Sequence, residues 1–370
     1  MNILILNPIL FTADKDLIPK VKSVKDTMIY NMCLGFKKIG VDVTLVAADD
    51  YMPIEQELYD FNIIFVHTCY KKILKPSVLP YSPELKNFLK NNHKKYDLII
   101  SSEVFSFQSF FAALICPCKT LIWQELTEHQ NKFHKIPSKI WHNVVARLCM
   151  RKVLAVVPRS QQAYNFISKY MLSVSSIIVD HGINVDKFKA SENKKRQIIS
   201  SSQLIYRKNV DGIIRIFEKF HKIDGYQDIK LIIAGRGEEE NKLKDLVNRL
   251  GLKDAVDFVG FLSQTDLNDY IRSSYCFLVN TRKDLNMVSI PESIVSGTPI
   301  LTNRQPASAD YIEKNGLGIV RDNWDENDIV DIIKNNSIYV DNCLHYRNKL
   351  TNGYSAQLFI DIFNELRKNK

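Results

Sequence analysis

The chain has 370 residues, 45% hydrophobic and 25% charged, with a formal net charge of +9. That length is enough for two domains with full cores, and no apolar run reaches the roughly 18 to 20 residues of a bilayer-spanning helix. Its seven cysteines contain no CxxC pair, and only Cys116 and Cys118 lie close together. The pattern predicts reduced thiols in a cytoplasmic protein, without a disulfide frame or a zinc site.

The elements are predicted to alternate between strand and helix. The chain starts on "NILILN", a strand-like run with no basic segment or cleavage site before it, which predicts no secretory leader. "SVKDTMIYNMCLGFKKIG" has helical spacing and ends on a glycine, and "VDVTLVAA" is the next strand. "NIIFVHT", "YDLIISS", "TLIWQE", "KVLAVVPRS" and "SSIIVDHGI" follow as further strands. A second series runs through "RQIISSSQLI", "IKLIIAGRG", "VDFVGFL", "CFLVNTR", "TPILTN" and "LGIV", after the polar stretch "GINVDKFKASENKKR", read as a linker. Strands apolar on both faces belong to parallel sheets covered by helices. The expected fold class is therefore α/β, two doubly wound domains with ligands at the carboxyl ends of the strands and in a cleft between them.

Charge divides the halves as well. Residues 1–190 hold 24 Lys+Arg and 16 Asp+Glu, and the remaining 180 hold 26 and 25. A basic first half is suited to an anionic partner. The stretch "KIPSKIWHNVVARLCMRK" mixes Trp141, Val144, Val145 and Leu148 with Lys135, Lys139, Arg147, Arg151 and Lys152. That mixture suits an interfacial helix on an anionic membrane as well as a core helix with a solvated basic face.

"DLNMVSIPESIVSGTPILTN", residues 284–303, places Asp284 just past a strand and Glu292 in the first turn of a helix. Ser289 is the predicted N-cap, Pro291 sits in the first turn, and Glu292 is the third helical residue, where it could close a capping box. Gly297 and Pro299 end the helix after about two turns. The helix start offers free amides and partial positive charge, a seat for phosphate.

These pieces together resemble a family 4 glycosyltransferase of the GT-B fold. The family's E-x(7)-E element corresponds to Asp284 and Glu292, the first implied to reach the donor sugar and the second to hold the nucleotide ribose. Its "GRL…KG" element corresponds to "SQLIYRKNVD", with Gln203 in the arginine position and Lys208 in the lysine position. Gly235-Arg236-Gly237 matches the "GxG" strand end, "VDFVGFL" with Phe261 matches "VxFxG", and "HGINVDKF" matches the interdomain "NGVD…F". The donor set implied is Gln203, Arg207, Lys208, Gly235, Arg236, Gly237, Phe261, Asn286, Met287, Val288, Ser289 and Glu292. Asp284 is one methylene shorter than the usual glutamate. Gln203 removes one positive charge, which Arg207 or Arg236 would have to supply. "TLIWQELTEH" corresponds to the strand after which relatives carry a histidine near the reacting carbon, which nominates Gln124, Glu125 and His129.

The resemblance implies residues 1–188 as an acceptor-side Rossmann-like domain and 189–352 as the donor-side one. Residues 353–370 form a last helix, predicted to pack back on the first domain or to serve as a core helix of the second. The implied function is retaining transfer of a sugar from a nucleoside diphosphate to a hydroxyl of a glycan or lipid-linked acceptor, in surface polysaccharide synthesis. Lys208, arginines and a helix N-terminus would stabilise the leaving phosphate without a metal ion or other cofactor. The implied setting is cytoplasmic, peripheral on the inner face of the plasma membrane. A nucleotide-sugar epimerase or hydrolase on the same fold is the alternative. Nucleic acid is not an expected partner, since no RNP-type, zinc-finger or GxxG signature occurs.

Overall fold

The computed structural model describes residues 1–11, 17–55, 57–130, 132–283 and 287–368. It divides into two compact units, Met1–Gly182 with Asn352–Lys370 and Ile183–Thr351.

Six Val-, Ile- and Leu-rich segments form the sheet of the first unit: β1 (Asn2–Leu6), β2 (Asp42–Ala48), β3 (Asn62–Val66), β4 (Leu98–Ser102), β5 (Thr120–Gln124) and β6 (Ala155–Pro158). Their order is β3-β2-β1-β4-β5-β6, all parallel. Leu4 pairs with Thr44 on one side and Ile99 on the other, so β1 is central and buried on both faces. Every carboxyl end lies on one edge of the sheet. The order reverses between β1 and β4, where a doubly wound sheet opens a crevice for ligand.

One face of that sheet is covered by the helices Met28–Lys38 and Asn352–Lys368. They cross so closely that a Cβ on Gly35 would stand 2.3 Å from the Asn352 carbonyl oxygen. Asn352 Nδ2 donates to the Asn31 carbonyl at 2.7 Å, and Phe359 packs on Phe36 and Trp123 at ring distances of 6.2 and 5.4 Å. The last helix is therefore a core element of the first unit. Ala356, Phe359, Ile362 and Phe363 form its buried face; Leu358 and Leu366 flank it, partly buried.

The second unit repeats the plan with β7 (Gln197–Ser201), β8 (Lys230–Ala234), β9 (Val256–Gly260), β10 (Phe277–Leu278), β11 (Ile300–Thr302) and β12 (Gly318–Val320). The order β12-β11-β10-β7-β8-β9 is again parallel, with its reversal between β7 and β10. Two expectations are corrected here. "SSIIVDHGI" forms no strand: Val174 makes a single bridge to Val156 and Ile183 another to Thr351, because the edge beyond β6 offers no longer ladder. The stretch read as a linker is docked on the second unit. Phe188 is buried in that unit's core, and the Lys189 amide donates to Asn268 Oδ1 at 3.0 Å. Lys194 Nζ donates to the Arg272 and Gly297 carbonyls at 3.0 and 2.7 Å.

Candidate functional site

In the second unit the loop after β7 is pressed against the loop after β8, backbone to backbone. The Leu204 amide donates to the Arg236 carbonyl at 2.9 Å, and the Glu239 amide donates to the Leu204 carbonyl at 3.0 Å. A Cβ on Gly235, at φ 137°, would lie 1.9 Å from the Ser202 oxygen, and one on Gly237 would lie 2.2 Å from the Leu204 oxygen. Both glycines are thus required by close approach. The contact lifts Arg236 outward over Gly260, its side chain exposed and without a hydrogen bond or ion pair to any described residue.

The β7 loop is also tied to the loop after β10, across the point where the strand order reverses. The Arg207 carbonyl accepts from the Arg282 amide at 2.8 Å and from Thr281 Oγ1 at 3.0 Å. Arg207 Nη1 donates to the Lys283 carbonyl at 3.3 Å. Arg282 stacks on Tyr206, 4.1 Å from the ring centre, and pairs with Asp211 at 3.2 Å. Lys208, half-buried, ends the short turn Tyr206–Lys208 between these ties. Gln203 and Phe261 are exposed. Asp284 and Asn286 lie outside the described residues.

The helix after β10 spans Ser289–Val295 and corrects the capping expectation. Ser289 is its first residue; Val288 occupies the cap position in helical conformation without a side-chain cap. Glu292 is therefore one residue further in than a capping box needs, and its amide already donates to the Val288 carbonyl at 3.1 Å. Gly297, at φ 73°, ends the helix as expected. Met287 is a core residue and Val288 packs beside it.

Glu292 itself is only 7% exposed, and its carboxyl makes no hydrogen bond or ion pair with any described residue. Burial alone pushes its pKa up to about 8. A buried carboxyl without donors costs stability.

The first unit's strand ends are built differently. Gln124 is fully buried: its Oε1 accepts from the Val104 amide and its Nε2 donates to the Leu126 carbonyl, both at 3.0 Å. Both ends of its amide are used inside the fold, so it is a strut between loops and not a ligand contact. Glu125 pairs with Arg159, whose guanidinium stacks on Trp123 at 3.6 Å and donates to His181 Nε2 at 2.8 Å. Glu103, after β4, holds a left-handed backbone at φ 65°. Its two carboxylate oxygens accept from the Glu125 and Leu126 amides at 2.8 and 3.3 Å. Burial and the neighbouring Glu125 charge push its pKa up to about 7. Glu103, Arg159 and His181 were not nominated by the sequence, although Glu103 and Arg159 directly follow apolar strands, which is the available signal. His129 is elsewhere: its ring nitrogens meet Ser138 Oγ at 3.2 Å and Tyr170 OH at 3.0 Å in a cluster with His142 and Phe166.

Two parallel doubly wound units define a protein of the GT-B fold. Residues 183–337, nearly all of the second unit, match the model of the glycosyl transferases group 1 family. The alpha-monoglucosyldiacylglycerol synthase of Streptococcus pneumoniae is 24% identical over 173 residues, 42% of this chain and 39% of that protein. The chain thus matches about two fifths of the length of that relative. An uncharacterized glycosyltransferase of Haemophilus influenzae is 20% identical over 313 residues, 84% of this chain and 85% of its own. Among solved structures, Anabaena HepE, crystallised with UDP, superposes with a TM-score of 0.66 at 12% identity, over 99% of this chain and 100% of that one.

Proposed function

We propose that this chain transfers a sugar from a nucleoside diphosphate sugar to a hydroxyl of a glycan or lipid-linked acceptor, with retention at the anomeric carbon, in surface polysaccharide synthesis. The observation that carries the reading is Glu292, a buried carboxyl with no partner among the described residues, on the helix after β10. A ribose supplies two hydroxyl donors, the complement of what Glu292 lacks. The UDP carried by HepE on the same fold is consistent with such a ligand.

The chemistry follows from charge. As the bond from the anomeric carbon to the diphosphate oxygen breaks, negative charge collects on the leaving diphosphate and positive charge on the sugar. Lys208 compensates the first, and Arg236 supplies the positive charge missing at Gln203. Asp284 takes the sugar side by its place in the sequence motif. In the first unit, Glu125 and Glu103 are the groups for the acceptor hydroxyl. No divalent metal is required in this scheme, so turnover is expected to persist in chelator; activity lost in chelator and restored by Mg²⁺ would refute that part.

Thermal denaturation with UDP, GDP, ADP and TDP tests the donor site. A nucleotide at 100 times its dissociation constant stabilises by about 2.7 kcal/mol. A transition that none of the four moves would remove the donor reading. Nucleotide release that proceeds equally without any added acceptor would favour a hydrolase over a transferase.

A further inference from the structure

Two carboxamides at the carboxyl ends of β10 and β11 take no part in the scheme for the leaving diphosphate. Phe277 stands opposite Ile300 and Leu278 opposite Leu301, and the Val279 amide donates to the Leu301 carbonyl at 2.9 Å. The same register, carried past the strands, sets Asn280 opposite Asn303. Their side chains meet there: Asn303 Nδ2 donates to the Thr281 carbonyl at 2.7 Å and to Asn280 Oδ1 at 3.5 Å.

These bonds fix both amides. Turning Asn303 over would set its oxygen against the Thr281 carbonyl. Its Oδ1 is therefore held on the other side, where it is buried and accepts from no described residue; the whole residue is only 7% exposed. Asn280, half-buried, turns its oxygen to Asn303 and leaves its Nδ2 without an acceptor among the described residues. The pair thus holds one unused acceptor and one unused donor, and a buried acceptor without a donor costs stability. Thr281 also ties the pair to the loop after β7, since its Oγ1 donates to the carbonyl of Arg207, next to Lys208.

Sugar hydroxyls donate and accept at once, so two neighbouring ones match this pair. A phosphate does not: its ionised oxygens only accept, and Asn303 Oδ1 would face a second acceptor. The order of the strands separates the two. Lys208 and Arg236, the cations for the diphosphate, follow β7 and β8, whereas Asn280 and Asn303 follow β10 and β11 on the other side of β7. Neighbouring strands lie about 4.8 Å apart, so the ends of β7 and β11 are about 10 Å apart, enough to reach from a diphosphate across one hexose. Asp284, given the sugar side by its motif, comes four residues after Asn280 in the sequence.

We propose that Asn303, with Asn280 beside it, is a specificity-determining residue that reads hydroxyls of the transferred sugar. The assignment rests on the donor reading of the second unit and adds to it where the sugar, as distinct from the nucleotide, is recognised.

Isothermal titration compares UDP, GDP, ADP and TDP with their glucose, galactose, mannose and N-acetylglucosamine conjugates, on wild type, Asn303→Ala and Asn280→Ala. The quantity read is the gain, the affinity for a conjugate divided by that for its bare nucleotide. Wild type is expected to show a gain of about tenfold for at least one conjugate, and Asn303→Ala should remove most of it. Asn280→Ala should lower the gain by about threefold, and both variants should bind the bare nucleotide within about twofold of wild type. Asn280 is half-buried and its one described side-chain bond is long, so its variant keeps the fold and tests the pair even where Asn303→Ala melts low. A gain that survives in both variants, or an equal loss for nucleotide and conjugate, overturns the assignment and makes the pair a strut between loops. Wild type that binds a bare nucleotide with no gain from any sugar overturns it too, while the donor reading stands. Wild type that binds no nucleotide removes both.

Discussion

The two units present their strand ends in opposite ways. In the first unit the edge is closed on itself: Glu125 is held by Arg159, Glu103 by two backbone amides, and Gln124 spends both ends of its amide on neighbouring loops. In the second unit the loops after β7 and β8 meet backbone to backbone, with Gly235 and Gly237 letting them touch, and the buried Glu292 has no donor among the described residues. A buried carboxyl without a donor calls for an explanation, and a bound ligand is the one proposed for Glu292. On the proposed function, nucleotide affinity belongs to the second unit and the first tunes turnover.

The sharpest way to break that assignment is Lys208→Ala. A leaving-group contact contributes about 2.7 to 4 kcal/mol in the transition state, so turnover should fall by roughly 10² to 10³. Melting should stay within a few degrees of wild type, because a half-buried loop lysine contributes little to folding. Near wild-type turnover in a folded variant would take Lys208 out of the site.

Next in size is Gly235→Ala. The new Cβ would meet the Ser202 oxygen at 1.9 Å, forcing the two loops apart at a cost of about 3 kcal/mol. Gly225→Ala is the control: it shares a positive φ, 86°, but has nothing within 4 Å, so only about 1–2 kcal/mol of backbone strain remains. Equal melting of the two variants by calorimetry would mean that the glycine-mediated loop contact is not what shapes this edge.

Glu292→Gln separates ligand from scaffold. Nucleotide binding should weaken at least tenfold, about 1.4 kcal/mol, because a neutral amide accepts more weakly than a carboxylate. The pH dependence carries a sign. With its folded pKa raised to about 8, Glu292 keeps a proton in the folded chain that the unfolded chain releases near pH 4.5. Unliganded wild type should therefore lose stability as pH rises from about 4.5 to 8, and the Gln variant should lack that component of the slope. Over the same window nucleotide affinity should increase with pH, as the carboxylate form becomes available. Parallel pH–stability curves for wild type and variant, with equal nucleotide affinity, would make Glu292 an inert core residue.

The smallest effect is expected from Glu103→Gln in the first unit. A glutamine can accept from one of the two amides but not from both, so turnover should fall by about tenfold while nucleotide affinity is unchanged. Weakened nucleotide binding by isothermal titration would contradict the division of labour between the units.

Much of this was legible in the sequence because it depends on short-range pattern. Apolar runs announced all twelve strands at or near their observed places, and one further run, "SSIIVDHGI", formed none. Gly235-Arg236-Gly237 announced a close backbone approach, and Gly297-Thr298-Pro299 announced a helix end, since both follow from local sterics. What the sequence left open depends on partners far along the chain. Whether the last helix was a first-unit or a second-unit element was decided by Gly35, more than three hundred residues away, which leaves room for Asn352. Trp141 read as a membrane-facing residue until Phe105 and Phe107 were seen to enclose it, and Gln124 read as a ligand contact until its two loops were in place. Glu292 could be a cap or a ligand by spacing alone. One residue of helix register removed the cap, and burial without a partner among the described residues is a property of the packed unit that no spacing could show.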